Sequence, residues 1–140
     1  NFLRTKRRIF RVNRGSAREL LMQLLFQMEM QQDFSDELKD SYLENVAGVR
    51  NQLDYINTIF TKVTDNLQLI DDVIDNNSEK WKVTRMPKVD KAILRLAIAE
   101  MLFAEDIPCE VSINEAVNLA KKFSTDESGK FINGILSKVI

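Results

Sequence analysis

Between Leu53 and Ile74 the chain reads LDYINTIFTKVTDNLQLIDDVI, and its apolar residues Leu53, Ile56, Phe60, Val63, Leu67, Ile70 and Ile74 recur at alternating steps of three and four. That rhythm matches the turn of an α-helix, so the stretch predicts one long helix of about 25 residues with a single buried stripe. Its acids Asp65, Asp71, Asp72 and Asp75 lie off the stripe and are expected at the solvated surface rather than at a metal or acid–base site. Asn76, Asn77 and Ser78 end the run.

Helical signals continue on both sides. Upstream, Ser16 opens a segment over residues 17–32 in which Ala17, Leu20, Leu21, Leu24, Leu25 and Met28 form a broad apolar face. Met22, Phe26 and Met30 mark a second flank of the same helix, readable as a further packing contact or as a base-stacking platform. Ser35 is a good cap for a short helix to about residue 46, carrying Leu38, Tyr42 and Val46, and Gly48 breaks it.

Downstream, residues 79–88 read as a linker whose Trp81 packs back on the core. Asp90 is placed to cap a helix running to about residue 104, whose wide face of Val89, Ile93, Leu94, Ala97, Ile98, Met101 and Leu102 suits the centre of the fold. Pro108 stops it. Ser112 and Glu115 have the spacing of a capping box, and Thr125 or Asp126 opens a last helix bearing Phe131, Ile132, Ile135, Leu136 and Val139. No stretch alternates with period two, so the fold class is all-α.

The 140 residues, 44% apolar and 29% charged, describe one ordinary globular domain. No apolar run approaches the roughly 18 residues of a membrane span, and no apolar segment follows the basic N-terminus as in a secretory signal; a cytoplasmic address is expected. The complete absence of histidine excludes Ser-His-Asp and Cys-His catalysis and His-ligated zinc. Cys109 stands alone without cationic neighbours and reads as a plain buried or half-buried thiol. With four glycines and no glycine-rich loop, nucleotide chemistry has no support and no cofactor is expected.

Charge is unevenly divided. Arg4, Lys6, Arg7, Arg8, Arg11, Arg14 and Arg18 precede the first acid, Glu19, whereas all 21 acids lie from Glu19 onward. A basic head on an acidic body is either a solvated tail or a nucleic-acid contact, and guanidinium groups suit both phosphates and bases.

Three blocks in the second half carry a family resemblance: Val89-Asp-Lys-Ala-Ile-Leu-Arg-Leu-Ala followed by Ile107-Pro, then Ser112-Ile-Asn-Glu-Ala-Val-Asn-Leu-Ala-Lys, then Ser128-Gly-Lys-Phe-Ile-Asn-Gly-Ile-Leu. With Ala17-Arg-Glu-Leu, Gln23 and Phe26 upstream, the chain resembles the NusB family of bacterial transcription antitermination factors. The resemblance implies one all-α domain of two small helical halves, residues 16–76 and 88–140, behind a basic head at 1–15. It implies a non-enzymatic protein that binds boxA-type single-stranded leader RNA, pairs with the ribosomal protein NusE and joins the RNA polymerase antitermination complex during ribosomal RNA synthesis. A homodimer is also open.

Carried onto this chain, the RNA-binding residues are expected to be Arg7, Arg8, Arg11, Arg14 and Arg18 from the head and first helix, Gln23 and Phe26 further along it, and Lys130 with Phe131 from the last helix. Asp90 is the expected NusE contact. Phe26 stands where the family usually has tyrosine. The alternative is a helical RNA-binding module like the N-terminal domain of ribosomal RNA cytosine methyltransferases, against which the missing glycine-rich motif argues. A helical scaffold that contacts only proteins would show no RNA affinity.

Overall fold

A computed structural model describes residues 12–140, in which every long element is a helix and no strand occurs. The helices are α1 (Arg14–Gln31), α2 (Asp36–Glu44), α3 (Leu53–Asp65), α4 (Leu67–Asn77), α5 (Lys88–Phe103), α6 (Cys109–Phe123) and α7 (Asp126–Val139). Single 3₁₀ turns at Arg50–Gln52 and Val83–Arg85 lead into α3 and α5.

Helix α5 is the axis of the fold, since it packs against α1, α3, α4, α6 and α7. Every residue from Asp90 to Glu100 is buried, as its apolar face on nearly all sides requires. Around it one apolar core joins Leu21, Leu24, Leu25 and Met28 of α1, Ile56 and Phe60 of α3, Ile70 and Ile74 of α4, and Ile132 and Leu136 of α7.

The long helix expected from Leu53 to Ile74 is two helices. Asn66 leaves helical geometry at φ −127° and ψ 26°, and its side-chain amide donates to the Lys62 carbonyl at 2.9 Å. Thr64, Asp65 and Asn66 are poor helix formers whose side chains compete for the backbone, so the ladder yields there. The apolar stripe survives the break, because Val63 and Ile70 are both buried on either side of it.

Helix starts also differ from the expected ones. Asn13, not Ser16, caps α1 by accepting from the Ser16 amide at 2.8 Å. Asp90 lies inside the first turn of α5, which begins after Pro87, and Ser112 lies inside α6, which begins after Pro108. In both cases the proline, whose fixed φ and missing N–H suit a helix entry, sets the start. Ser35 and Thr125 do cap α2 and α7, accepting from the amides of Leu38 and Ser128.

Two of the acids expected at the surface are structural. Asp71 makes a paired contact with Arg95, at 2.9 Å to Nε and 2.8 Å to Nη2, while Glu29 takes Arg95 Nη1 at 2.7 Å and Lys91 Nζ at 2.9 Å. Asp75 accepts the Val83 amide at 2.7 Å, fastening the linker to α4. Burial works against the Glu29 charge, but the bonds from Lys91 and Arg95 prevail and hold its carboxyl below the usual range.

Candidate nucleic-acid interface

The chain enters the described structure at a pinned point. The Val12 amide donates to the Gly48 carbonyl at 3.1 Å and the Val12 carbonyl accepts from Asn51 Nδ2 at 2.8 Å. Gly48 adopts φ 76°, a conformation glycine takes without strain, and so turns its carbonyl to Val12. Arg7, Arg8 and Arg11 lie outside the described residues.

Arg14 is the first residue of α1 and is exposed. Its Nε donates to Gln52 Oε1 at 2.9 Å, and its guanidinium carbon sits 4.3 Å from the centre of the Tyr55 ring. An exposed arginine is thus held against an aromatic face at the end of the basic head. Arg18, one turn on, points inward instead. It is 6% exposed and forks onto the Glu100 carboxylate, at 2.8 Å from Nε and 3.1 Å from Nη2. Burial opposes its charge, and the bonds and field of Glu100 outweigh that opposition. Its guanidinium, expected on RNA, is committed to the interior.

Gln23 and Phe26 are half-buried on α1, with Phe26 packed against the core. Of the second flank on that helix, Met22 is 2% exposed and Met30 57%, so the flank runs from core to solvent and does not form one platform. Lys130 is exposed on α7 and lines a groove of about 710 Å³ against α6, with Asn114, Lys121 and Asn133. Phe131 turns to another side of α7 and meets Trp81 edge-on, ring centres 5.2 Å apart and planes at 71°. Glu127 faces Lys80 across the linker at 4.0 Å.

Helix α6 separates the two basic places. One of its edges, with Glu115, Asn118 and Lys122, forms a shallow hollow against Asn13, Gly15, Ser16 and Glu19 of the α1 entry, while the other borders the Lys130 groove. Lys122 is spent on Glu19. Because Glu110, Glu115 and Asp126 line the same hollows, the described surface there is mixed in sign.

Asp90, the expected partner contact, is fully enclosed. Its Oδ2 accepts from Ser128 Oγ at 3.2 Å, and Oδ1 has no partner among the described residues. Burial pushes its pKa up, and the serine hydroxyls of α7 and its approach only partly offset this.

Tyr55 and Glu100, which sequence reasoning did not single out, also belong to this region, together with Ser112, which it expected only as a helix cap. Tyr55 adjoins the stripe residue Ile56, and its hydroxyl donates to Glu100; Ser112 Oγ donates to the same carboxylate at 2.8 Å. The available signal was Glu100 itself, a carboxylate directly after the apolar run 96–99 on a helix whose apolar face is wide, because a charge enclosed there requires partners.

An all-α domain built round one buried helix, with a basic approach to its first helix, is the class of protein that fold and site define. The chain matches the NusB family over residues 15–140 and belongs to it. The transcription antitermination protein NusB of Natranaerobius thermophilus is 49% identical over 131 residues, covering 91% of this chain and 94% of that protein. Its counterpart in Acetivibrio thermocellus is 46% identical, covering 92% and 89%. T. maritima NusB superposes with a TM-score of 0.82 at 37% identity, covering 92% of this chain and 91% of that one. The same fold, at TM-score 0.77 and 24% identity over 90% of this chain and 94% of the other, occurs in a crystal structure of the antitermination factors NusB and NusE with double-stranded RNA. The family is non-enzymatic, and this chain is not an enzyme. No helix among the described residues is long and apolar enough to cross a membrane.

Proposed function

We propose that this chain is a cytoplasmic transcription antitermination factor that binds boxA-type single-stranded leader RNA together with NusE and acts on RNA polymerase during ribosomal RNA synthesis. The observation that carries the reading is the place where the basic head meets the fold. Arg14 stands exposed at the N-terminus of α1, over the Tyr55 ring, and follows the head's Arg7, Arg8 and Arg11 in the chain. Helix N-termini favour anions, so the backbone adds to the arginines there.

Phosphates meet the head and Arg14 first. Lys130 extends the path on the far side of α6, and Phe131, Gln23 and Phe26 contribute at their exposed edges. Arg18 acts from beneath, by fixing the helix that carries Arg14. On this reading the chain is a single domain of two helical halves, and NusE meets the second half over the start of α5, where Asp90 lies under Ser128. A homodimer would compete for the same head.

The test is an anisotropy titration with boxA RNA and a scrambled strand of equal length, each with and without NusE. Preference for boxA that increases when NusE is added supports the reading. Equal binding to both strands, or none, refutes it.

A further inference from the structure

We propose that Tyr55 is a positioning residue for RNA: anchored from below by Glu100, its ring holds the Arg14 guanidinium in the orientation that meets the strand. The inference rests on the RNA-binding reading above and assigns it a residue from α3.

The arrangement joins four helices, α1, α3, α5 and α6. Glu100 of α5 is 1% exposed and accepts from Arg18 Nε, Arg18 Nη2, Ser112 Oγ and the Tyr55 hydroxyl. A carboxylate has about four acceptor positions, so this one is filled, and the Tyr55 hydroxyl has a fixed partner. Burial pushes the Tyr55 hydroxyl well up from its usual pKa, with the adjacent Glu100 charge adding to the effect, so it stays a donor at every working pH. A phenol that donates to an anion gains electron density in its ring, which strengthens attraction for a cation over the face.

Two cations occupy that neighbourhood, and they divide the work. Arg14 and Arg18 are four residues apart on one face of α1, with guanidinium carbons 4.3 Å and 5.6 Å from the ring centre. Arg18 neutralises Glu100, while Arg14 stays at the surface. Gln52 takes Arg14 Nε at 2.9 Å, so the strand meets the Nη groups. An arginine already ordered on a ring loses less rotamer freedom on binding than one that waves in solvent. Tyr55 itself is only 7% exposed, so the strand meets Arg14 rather than the ring; the two residues line a cleft of about 470 Å³ whose walls also carry Asp54, Glu105 and Asp106, which turn a polyanion toward the arginine.

The experiment is a double-mutant cycle on the full chain with boxA RNA at fixed salt. Arg14→Gln is expected to weaken binding about fivefold, and Tyr55→Leu about threefold, the range for one partly exposed cationic contact and its support. In the Arg14→Gln background, Tyr55→Leu is expected to do nothing further. Tyr55→Phe keeps the ring and should retain at least half the affinity, and it folds even if the leucine variant does not. By NMR, the Arg14 side-chain resonances should lose their ring-current shift in Tyr55→Leu and keep it in Tyr55→Phe. Equal losses from Tyr55→Leu in both backgrounds, or no loss from Arg14→Gln while unmodified protein still prefers boxA, would overturn the proposal. Absence of any boxA preference in the unmodified protein is a different result, and removes the reading beneath it.

Discussion

Arg18 and Glu100 are enclosed together, and that fact governs what each can be replaced by. Removing one member of a buried pair leaves the other charged and without a counter-ion, which typically costs about 3–5 kcal/mol. Arg18→Gln is therefore expected to lower the Tm by roughly 10 °C, and a thermal melt checks it; an unchanged Tm would mean that water reaches Glu100. Asp90 has the opposite sign. Its folded pKa lies above its unfolded one, so the ionised form weakens the fold at neutral pH, and the deficit disappears as pH falls through the raised value toward the ordinary one. Asp90→Asn should then be more stable than the parent in urea at pH 7, with the difference closing toward pH 4. If the variant is less stable at pH 7, the carboxylate has a counter-charge unaccounted for. These two residues also show why roles were harder to read than elements. Arg14 and Arg18 are the same residue type one turn apart, yet one faces solvent and the other Glu100, 82 positions away in the chain. Nothing local to α1 announces that difference.

At the scale of elements, apolar spacing located each long helix and the central place of α5, because packing of an apolar face stabilises a protein helix more than intrinsic propensity does and leaves a periodic trace. The ends were less legible. Capping residues are common, and several candidates compete within a turn: Asn13 displaced Ser16, and the prolines at 87 and 108 overrode Asp90 and Ser112. The bend at Asn66 keeps the stripe intact, so periodicity alone could not see it. Asn13 gives a clean test. Asn13→Ala removes the acceptor for the Ser16 amide and should cost about 1 kcal/mol of stability while loosening the turn that carries Arg14. Denaturant unfolding should record that loss along with a reduced RNA affinity; unchanged stability would mean that water replaces the cap.

Across the whole molecule, the charge division visible in the sequence is only half expressed in the described residues: Lys91 and Arg95 are buried on Glu29 and Asp71, Lys122 is spent on Glu19 at the surface, and acids border the Lys130 groove. The folded body contributes little net attraction for a polyanion, so on the proposed function most of that attraction falls to residues 1–11 with Arg14 and Lys130. Salt dependence measures this directly, because each phosphate contact on a single strand adds about 0.7 to the log–log slope. For boxA RNA and the full chain, roughly four to six contacts give an expected slope of about −3 to −4. Deleting residues 1–11, which leaves Val12 pinned and Arg14 in place, should flatten the slope to about −1 with the helical fold unchanged. A slope that stays steep without the head, or one near zero with it, would contradict the assignment of RNA binding to the basic entry of α1.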